Sequence, residues 1–257
     1  MRFASEEGIQ MPANHGCSDE RAKLLTNVFP SLQRAGIDEL CEICFEIRHG
    51  SDELIAQEGS YASGLYIVQT GLVKIGKYAA HGGEKRVLRF LGIGELFGLE
   101  SVIMEHSTNV QYAKTLMDTT LIFVERTNLL RFRKKHPEMC SDFCRWLARE
   151  VVMLEFKLTR EAVESVDRNL ALLLIALALN YGTREGEQVS LVPPISRQTM
   201  AEMLGVSVES VLRALRRFRE RGLASTEGKK IIIRDLTQLT ERARTTPFYL
   251  SIIQETL

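Results

Sequence analysis

The chain has 257 residues, of which 45% are hydrophobic, 26% charged and 7% aromatic. That profile fits a globular protein with a sizeable core and excludes a disordered tail, a collagen and a disulfide-stapled miniprotein. The 33 Lys+Arg balance the 33 Asp+Glu, but unevenly: Arg168–Leu257 holds 13 basic and 9 acidic residues, a basic C-terminal third that permits a nucleic-acid partner.

In chain order, Met1 to Gly16 is polar and mixed in charge, without the apolar stretch of a signal peptide. The longest apolar run, Leu170–Leu179, is about half of the roughly 20 residues a membrane span needs. The chain is therefore expected to be cytoplasmic, with no membrane partner. The five cysteines, Cys17, Cys41, Cys44, Cys140 and Cys144, favour thiols, ligands or redox sites over a disulfide framework.

Residues 18–45 read as helical, with Asp19 as the cap of a short first helix and Leu32–Phe45 apolar at helical spacing. From about Glu46 to Phe123 the pattern changes to short β-prone segments, such as Leu65-Tyr66-Ile67-Val68 and Leu72-Val73-Lys74-Ile75, punctuated by glycines. This predicts a small antiparallel barrel or roll. After Pro137 the positions Cys140, Cys144, Leu147, Val151, Leu154 and Leu158 alternate in spacings of four and three, a coiled-coil seam. Phe143, Trp146, Val152 and Phe156 flank it, so one stripe is expected to pack on the roll and the other on a partner helix; a helix buried within its own domain is the alternative. Cys140 and Cys144 are four apart on that seam. In a parallel dimer each would face its symmetry mate, a candidate redox pair, against the plainer reading of two small packed residues.

Ser165–Asn169 is a polar break before the apolar run, Gly182–Glu187 reads as a polar loop, and Pro193-Pro194 stops any helix. Ile195–Gly222 then carries the strongest motif. Ser196 caps a first helix, Gly205 suits a tight turn, and Ser207 caps a second helix. Val211, Leu215 and Phe218 share one face of that helix, and Arg213, Arg216, Arg217, Arg219 and Arg221 crowd the rest. This is the pattern of a helix-turn-helix. Leu223–Leu236, with Glu227-Gly228-Lys229-Lys230 between two β-prone stretches, reads as a hairpin wing. The fold class is therefore α+β: a roll with N-terminal helices over 18–136, a dimerisation helix over 137–166 and a winged helix-turn-helix domain over 168–257.

Over about residues 25–236 the chain resembles the family of the cyclic-AMP receptor protein and the fumarate and nitrate reduction regulator, the CRP/FNR family. The matching stretches are Glu58-Gly59, Leu65–Gly71, Gly94-Glu95-Leu96-Phe97-Gly98, the long helix after His136-Pro137, Ile195–Gln198 and Gly205–Arg213. The resemblance implies a cyclic-nucleotide-binding-like β-roll and a homodimeric transcription regulator on a double-stranded DNA operator. It also implies contact with RNA polymerase if the protein is an activator. The family's base-reading pair maps onto Glu209 and Arg213, with Val208 and Leu212 beside them. Arginine donates two bonds to guanine and glutamate accepts from the cytosine amino group. Ser196, Arg197, Gln198, Ser207 and the wing residue Lys229 take phosphate-contacting places, which position without specifying sequence. Valine at 208 is shared with the anaerobic branch and implies half-sites containing TGA.

The resemblance also implies an effector pocket at Gly98, Leu99, Thr108 and Leu154. The cyclic-nucleotide branch needs a glutamate after Gly98 and an arginine for the phosphate. Here stand Leu99 and, over His106–Gln111, no arginine, so cyclic AMP is not expected. An iron–sulfur cluster needs four thiolates, but Ile122 holds the expected strand position and Cys17 is alone near the N-terminus; Cys41-Glu42-Ile43-Cys44 leaves a different cluster or a zinc site open. For haem, the position after the cassette is Leu99-Glu100-Ser101, and His106 is the histidine to test. The cofactor is thus unknown and no metal ligands are assigned. An alternative is a constitutive regulator with a ligand-free roll. A cupin-like enzyme finds no support, as the roll lacks paired histidines.

Overall fold

The computed structural model describes residues 18–78, 85–104, 108–161, 165–191, 195–228 and 230–243. Two short helices come first, α1 (Asp19–Val28) and α2 (Arg34–Ile43). The cap of α1 is Ser18, whose side chain accepts from the Arg21 N–H, rather than the expected Asp19, which sits in the first turn where its charge suits the helix N-terminus. The second helix also ends earlier than expected. Cys44 and Phe45 already belong to β1 (Cys44–His49), because they pair with Val124 and Phe123.

The roll is built from β1 with β2 (Leu54–Ala56), β3 (Gly64–Thr70), β4 (Val73–Tyr78), β5 (Lys85–Leu91), β6 (Leu96–Phe97), β7 (Tyr112–Thr115) and β8 (Thr119–Glu125), with a short α3 (Leu99–Ile103) between β6 and β7. They form two antiparallel sheets, ordered β1-β8-β3-β6 and β2-β7-β4-β5. The period-two alternation of a strand sorts the side chains. Tyr66, Val68, Leu121 and Phe123 point between the sheets with Val73, Ile75, Leu91 and Phe97. Leu65, Ile67, Ile122 and Val124 point the other way, into a core shared with Leu25, Phe29, Ile37 and Leu40 of the first helices. Tyr66 stacks on Phe97 with centroids 4.7 Å apart.

A helix absent from the sequence reading follows: α4 (Arg126–Lys135), capped by the Glu125 carboxylate, which accepts from the N–H groups of Thr127 and Asn128. Then α5 runs from Met139 to Glu161. Met139 and Phe143 bury themselves against the roll's outer core, with Trp146 packed at its edge. Val151 and Leu154, on the seam, are 54% and 49% exposed in the single chain. Of the residues expected to flank the seam, Phe143 and Trp146 pack on the roll, whereas Val152 is 42% exposed.

The C-terminal part consists of α6 (Val166–Tyr181), β9 (Gly182–Glu185), β10 (Gln188–Leu191), α7 (Arg197–Leu204), α8 (Val208–Glu220), β11 (Ala224–Glu227), β12 (Lys230–Ile233) and α9 (Leu236–Ala243). The expected polar loop at Gly182–Glu187 is instead half of a hairpin. β9 pairs with β10, and the wing strands join them in one sheet, β11-β12-β10-β9. α6 is buried continuously from Leu170 to Ala178, as a helix apolar all round must be. Its core includes Leu72, Val87 and Phe90 from the roll, so the roll and the helix-turn-helix share apolar contact. Among the described residues, no helix is long and apolar enough to cross a membrane.

Candidate nucleic-acid interface and effector cavity

The helix-turn-helix is assembled by local chemistry. Ser196 accepts from the Thr199 N–H and starts α7. Gly205 ends α7 in the left-handed region at φ 63°, where an L side chain is strained; a Cβ there would also lie 2.6 Å from the Arg86 guanidinium of β5. Ser207 accepts from the Ser210 N–H and starts α8. Val211, Ala214, Leu215 and Phe218 anchor one face of α8 in the core. That anchoring turns Glu209, Leu212, Arg213 and Arg216 outward, all exposed.

Among the expected base-reading residues, Glu209 and Arg213 share the exposed face near the start of α8, Leu212 is 51% exposed, and Val208 is half-buried against the core. The Glu209 carboxyl is held below its ordinary value, first by its own backbone N–H, then by the Ser207 hydroxyl. It therefore stays an acceptor at neutral pH. Arg213 donates to the Ser210 hydroxyl at 3.1 Å, which aims its guanidinium along the same face.

Of the expected phosphate contacts, Ser196 and Ser207 sit at the two helix N-termini, exposed, where N–H groups already favour anions. Arg197 donates from Nη2 to the Gly228 carbonyl at 3.0 Å, tying α7 to the wing turn. Gln198 donates to Glu202 at 3.2 Å. Lys229 lies outside the described residues, as do Cys17 and His106.

The expected effector site comes together only in part. A small recess opens inside the roll, lined by Ala56, Ile75, Phe97, Gly98, Glu100, Asn109, Val110, Gln111, Tyr112 and Ala113. Gly98 is in it. Leu99 is not: it turns into the core beneath α1 and α2 and is fully buried. Thr108 is exposed and pairs with Tyr61, and Leu154 stands exposed on α5. Glu100 supplies the recess with a carboxylate instead. No Lys or Arg lines it among the described residues. Burial pushes the Tyr112 hydroxyl up to about 12, and that hydroxyl has no hydrogen-bond partner.

Behind the recess, Arg89 of β5 pairs with Glu100 at 3.5 Å and with Glu150 of α5, and lies over the Trp146 ring at 5.3 Å. Sequence reasoning missed this cluster because its members are far apart in the chain. Cys140 and Cys144 are free thiols and exposed. Cys44 is buried and free, its thiol pushed up by burial, whereas Cys41 is disulfide-bonded, although the sequence favoured thiols, ligands or redox sites over a disulfide framework.

Comparison with known proteins agrees with the roll and the helix-turn-helix. The Crp-like helix-turn-helix domain family matches residues 169–242, and the cyclic nucleotide-binding domain family matches residues 46–136. A CRP-like cAMP-activated global transcriptional regulator of Mycobacterium tuberculosis is 30% identical over 224 residues, covering 87% of this chain and 97% of the relative. The anaerobic regulatory protein of Bacillus subtilis is 25% identical over 69% of this chain and 74% of its own length. Among solved structures, the c-di-GMP responsive global regulator CLP of Xanthomonas campestris superposes with a TM-score of 0.70 at 21% identity, over 78% of this chain and 99% of the other. FixK2 from Bradyrhizobium japonicum gives 0.68 at 22% identity, over 79% and 99%.

Proposed function

Because the chain belongs to the CRP/FNR family of transcription regulators, we propose that it acts as a homodimer that binds an inverted-repeat operator through α8 and answers to a signal other than cyclic AMP. The exposed, capped N-terminal half of α8 carries the reading of the DNA site. Arg213 would donate two bonds to guanine O6 and N7, and Glu209 would accept from a neighbouring cytosine amino group. Val208 and Leu212 offer methyl contact to thymine. Ser196, Arg197, Gln198, Ser207 and the wing residue Lys229 would fix the register on the phosphates.

The effector half of the reading rests on the recess. A cyclic nucleotide would bring its phosphate beside Glu100, where the Arg89 guanidinium is already committed to Glu100 and Glu150. This favours a neutral or cationic ligand in the roll, or a signal that acts elsewhere, for instance at the exposed Cys140 and Cys144. Titration calorimetry with cyclic AMP should show no heat of binding; micromolar binding would overturn the effector assignment. Arg213→Ala should lose about 1–3 kcal/mol of operator affinity and relax the preference at one base pair. Lys229→Ala should weaken all sequences alike and lower the salt slope by about one. An Arg213→Ala protein with unaltered base preference would mean that a different surface reads the DNA.

A further inference from the structure

The far end of α8 is held by a contact that has no counterpart in the base-reading scheme. Asp167 lies in the first turn of α6, two residues after the Ser165 cap, and is buried although charged. A carboxylate withdrawn from water needs partners. Arg217, in the last turn of α8, gives it a fork: Nε donates to Oδ2 at 2.9 Å and Nη2 donates to Oδ1. Arg242 of α9 stands 3.8 Å from Oδ2, and the neighbouring Arg168 donates to the Ala243 carbonyl at 2.8 Å. The Arg217 hydrogen bond, ahead of the charge of Arg217 and Arg242, holds the Asp167 carboxyl below its ordinary value.

Arg217 follows Arg213 by one helical turn, so it could serve as one more phosphate contact or as a strut. The geometry favours the strut, because the Nε/Nη2 edge of the guanidinium is committed to Asp167. A planar fork on a carboxylate fixes direction as well as distance. α6 begins just after the long helix α5, so the fork joins the recognition helix to the first turn of the helix that leaves the dimerisation element.

We propose that Asp167, acting through Arg217, is a positioning residue for DNA recognition, setting the tilt of α8 on α6 so that paired recognition helices enter successive major grooves. This rests on α8 being the recognition helix.

Charge alone predicts the opposite sign. Deleting a carboxylate near DNA and releasing an arginine should tighten binding. The strut predicts that Asp167→Asn weakens operator binding by about tenfold, as the loss of a charge-assisted fork implies, while affinity for a random duplex stays level or rises. Arg217→Lys keeps the charge and loses the fork. It should show the same operator loss with an unchanged salt slope, and the double variant should be no worse than either single one. Arg242→Lys, which keeps a charge beside Asp167 and leaves the Arg217 fork intact, should bind the operator like wild type. All are titrated with full-length protein below its unfolding midpoint, checked by circular dichroism. Operator binding by Asp167→Asn as tight as wild type, or equal losses on operator and random duplex, would overturn the proposal. If Arg213→Ala also left operator binding unaltered, the assignment of α8 would have failed; if Arg213→Ala weakened binding and Asp167→Asn did not, the strut alone would.

Discussion

Glu95 shows how far the interior changes a residue's chemistry. Burial pushes its carboxyl up to about 8, while the Gly92 N–H and Arg89 pull the other way and Glu150 adds to the rise. Arg149 faces the same carboxyl, and the Tyr181 hydroxyl of α6, raised chiefly by burial, is raised further by Glu95. A raised native value means that the stabilisation is complete below the ordinary 4.5 and is lost as pH climbs through about 8. Glu150, raised chiefly by burial, acts in the same direction. The thermal midpoint should therefore fall between about pH 5 and 9, and Glu95→Gln should flatten that fall. A variant melting curve as pH-sensitive as wild type would show that Glu95 is ionised throughout. The residues that sequence analysis located well, Ser196, Gly205 and Ser207, act within four positions of themselves. Glu95, Arg89, Glu100 and Glu150 meet only through the fold, so no local pattern announces them.

Among the elements, α5 faces two ways. Phe143 and Met139 serve the roll, whereas Cys140, Cys144, Val151 and Leu154 are left exposed along the opposite stripe. Exposed β-branched and leucine side chains at coiled-coil spacing ask for a partner helix. The double change Val151→Glu, Leu154→Glu should yield monomers by light scattering and lose operator binding, since one half-site offers too little contact; an intact dimer would place the interface elsewhere. This helix was legible in the sequence because its apolar repeat persists over many turns. α4 was not, because only Leu129 and Phe132 of its ten residues are buried and, apart from Leu130, the rest is polar or basic. The β9 strand was hidden for a related reason: Thr183, Arg184 and Glu185 face solvent, so the hairpin shows no alternation on that side.

At the scale of the whole molecule, the helix-turn-helix does not hang free of the roll. Phe90, Val87 and Leu72 enter the core of α6 and α8. Lys74 of β4 meets Glu202 of α7 at 3.5 Å, with both side chains nearly buried. The Arg86 guanidinium sits against the Gly205 turn. Changes in the roll's β4–β5 ribbon thus reach α7 and the turn before α8 through contacts that already exist. If α5 pairs with its mate about a twofold axis, the two α8 helices must address half-sites of opposite orientation, centred about one helical turn or roughly 34 Å apart. Selection from random duplexes, followed by footprinting, should enrich an inverted repeat at that spacing, with TGA in each half-site. Lengthening the central spacer by about five base pairs rotates one half-site to the far face of the helix, so it should abolish tight binding although every base contact is still offered. A selected site without twofold symmetry, or one indifferent to spacer length, would mean that the subunits read DNA independently and that the exposed stripe of α5 does not set their geometry.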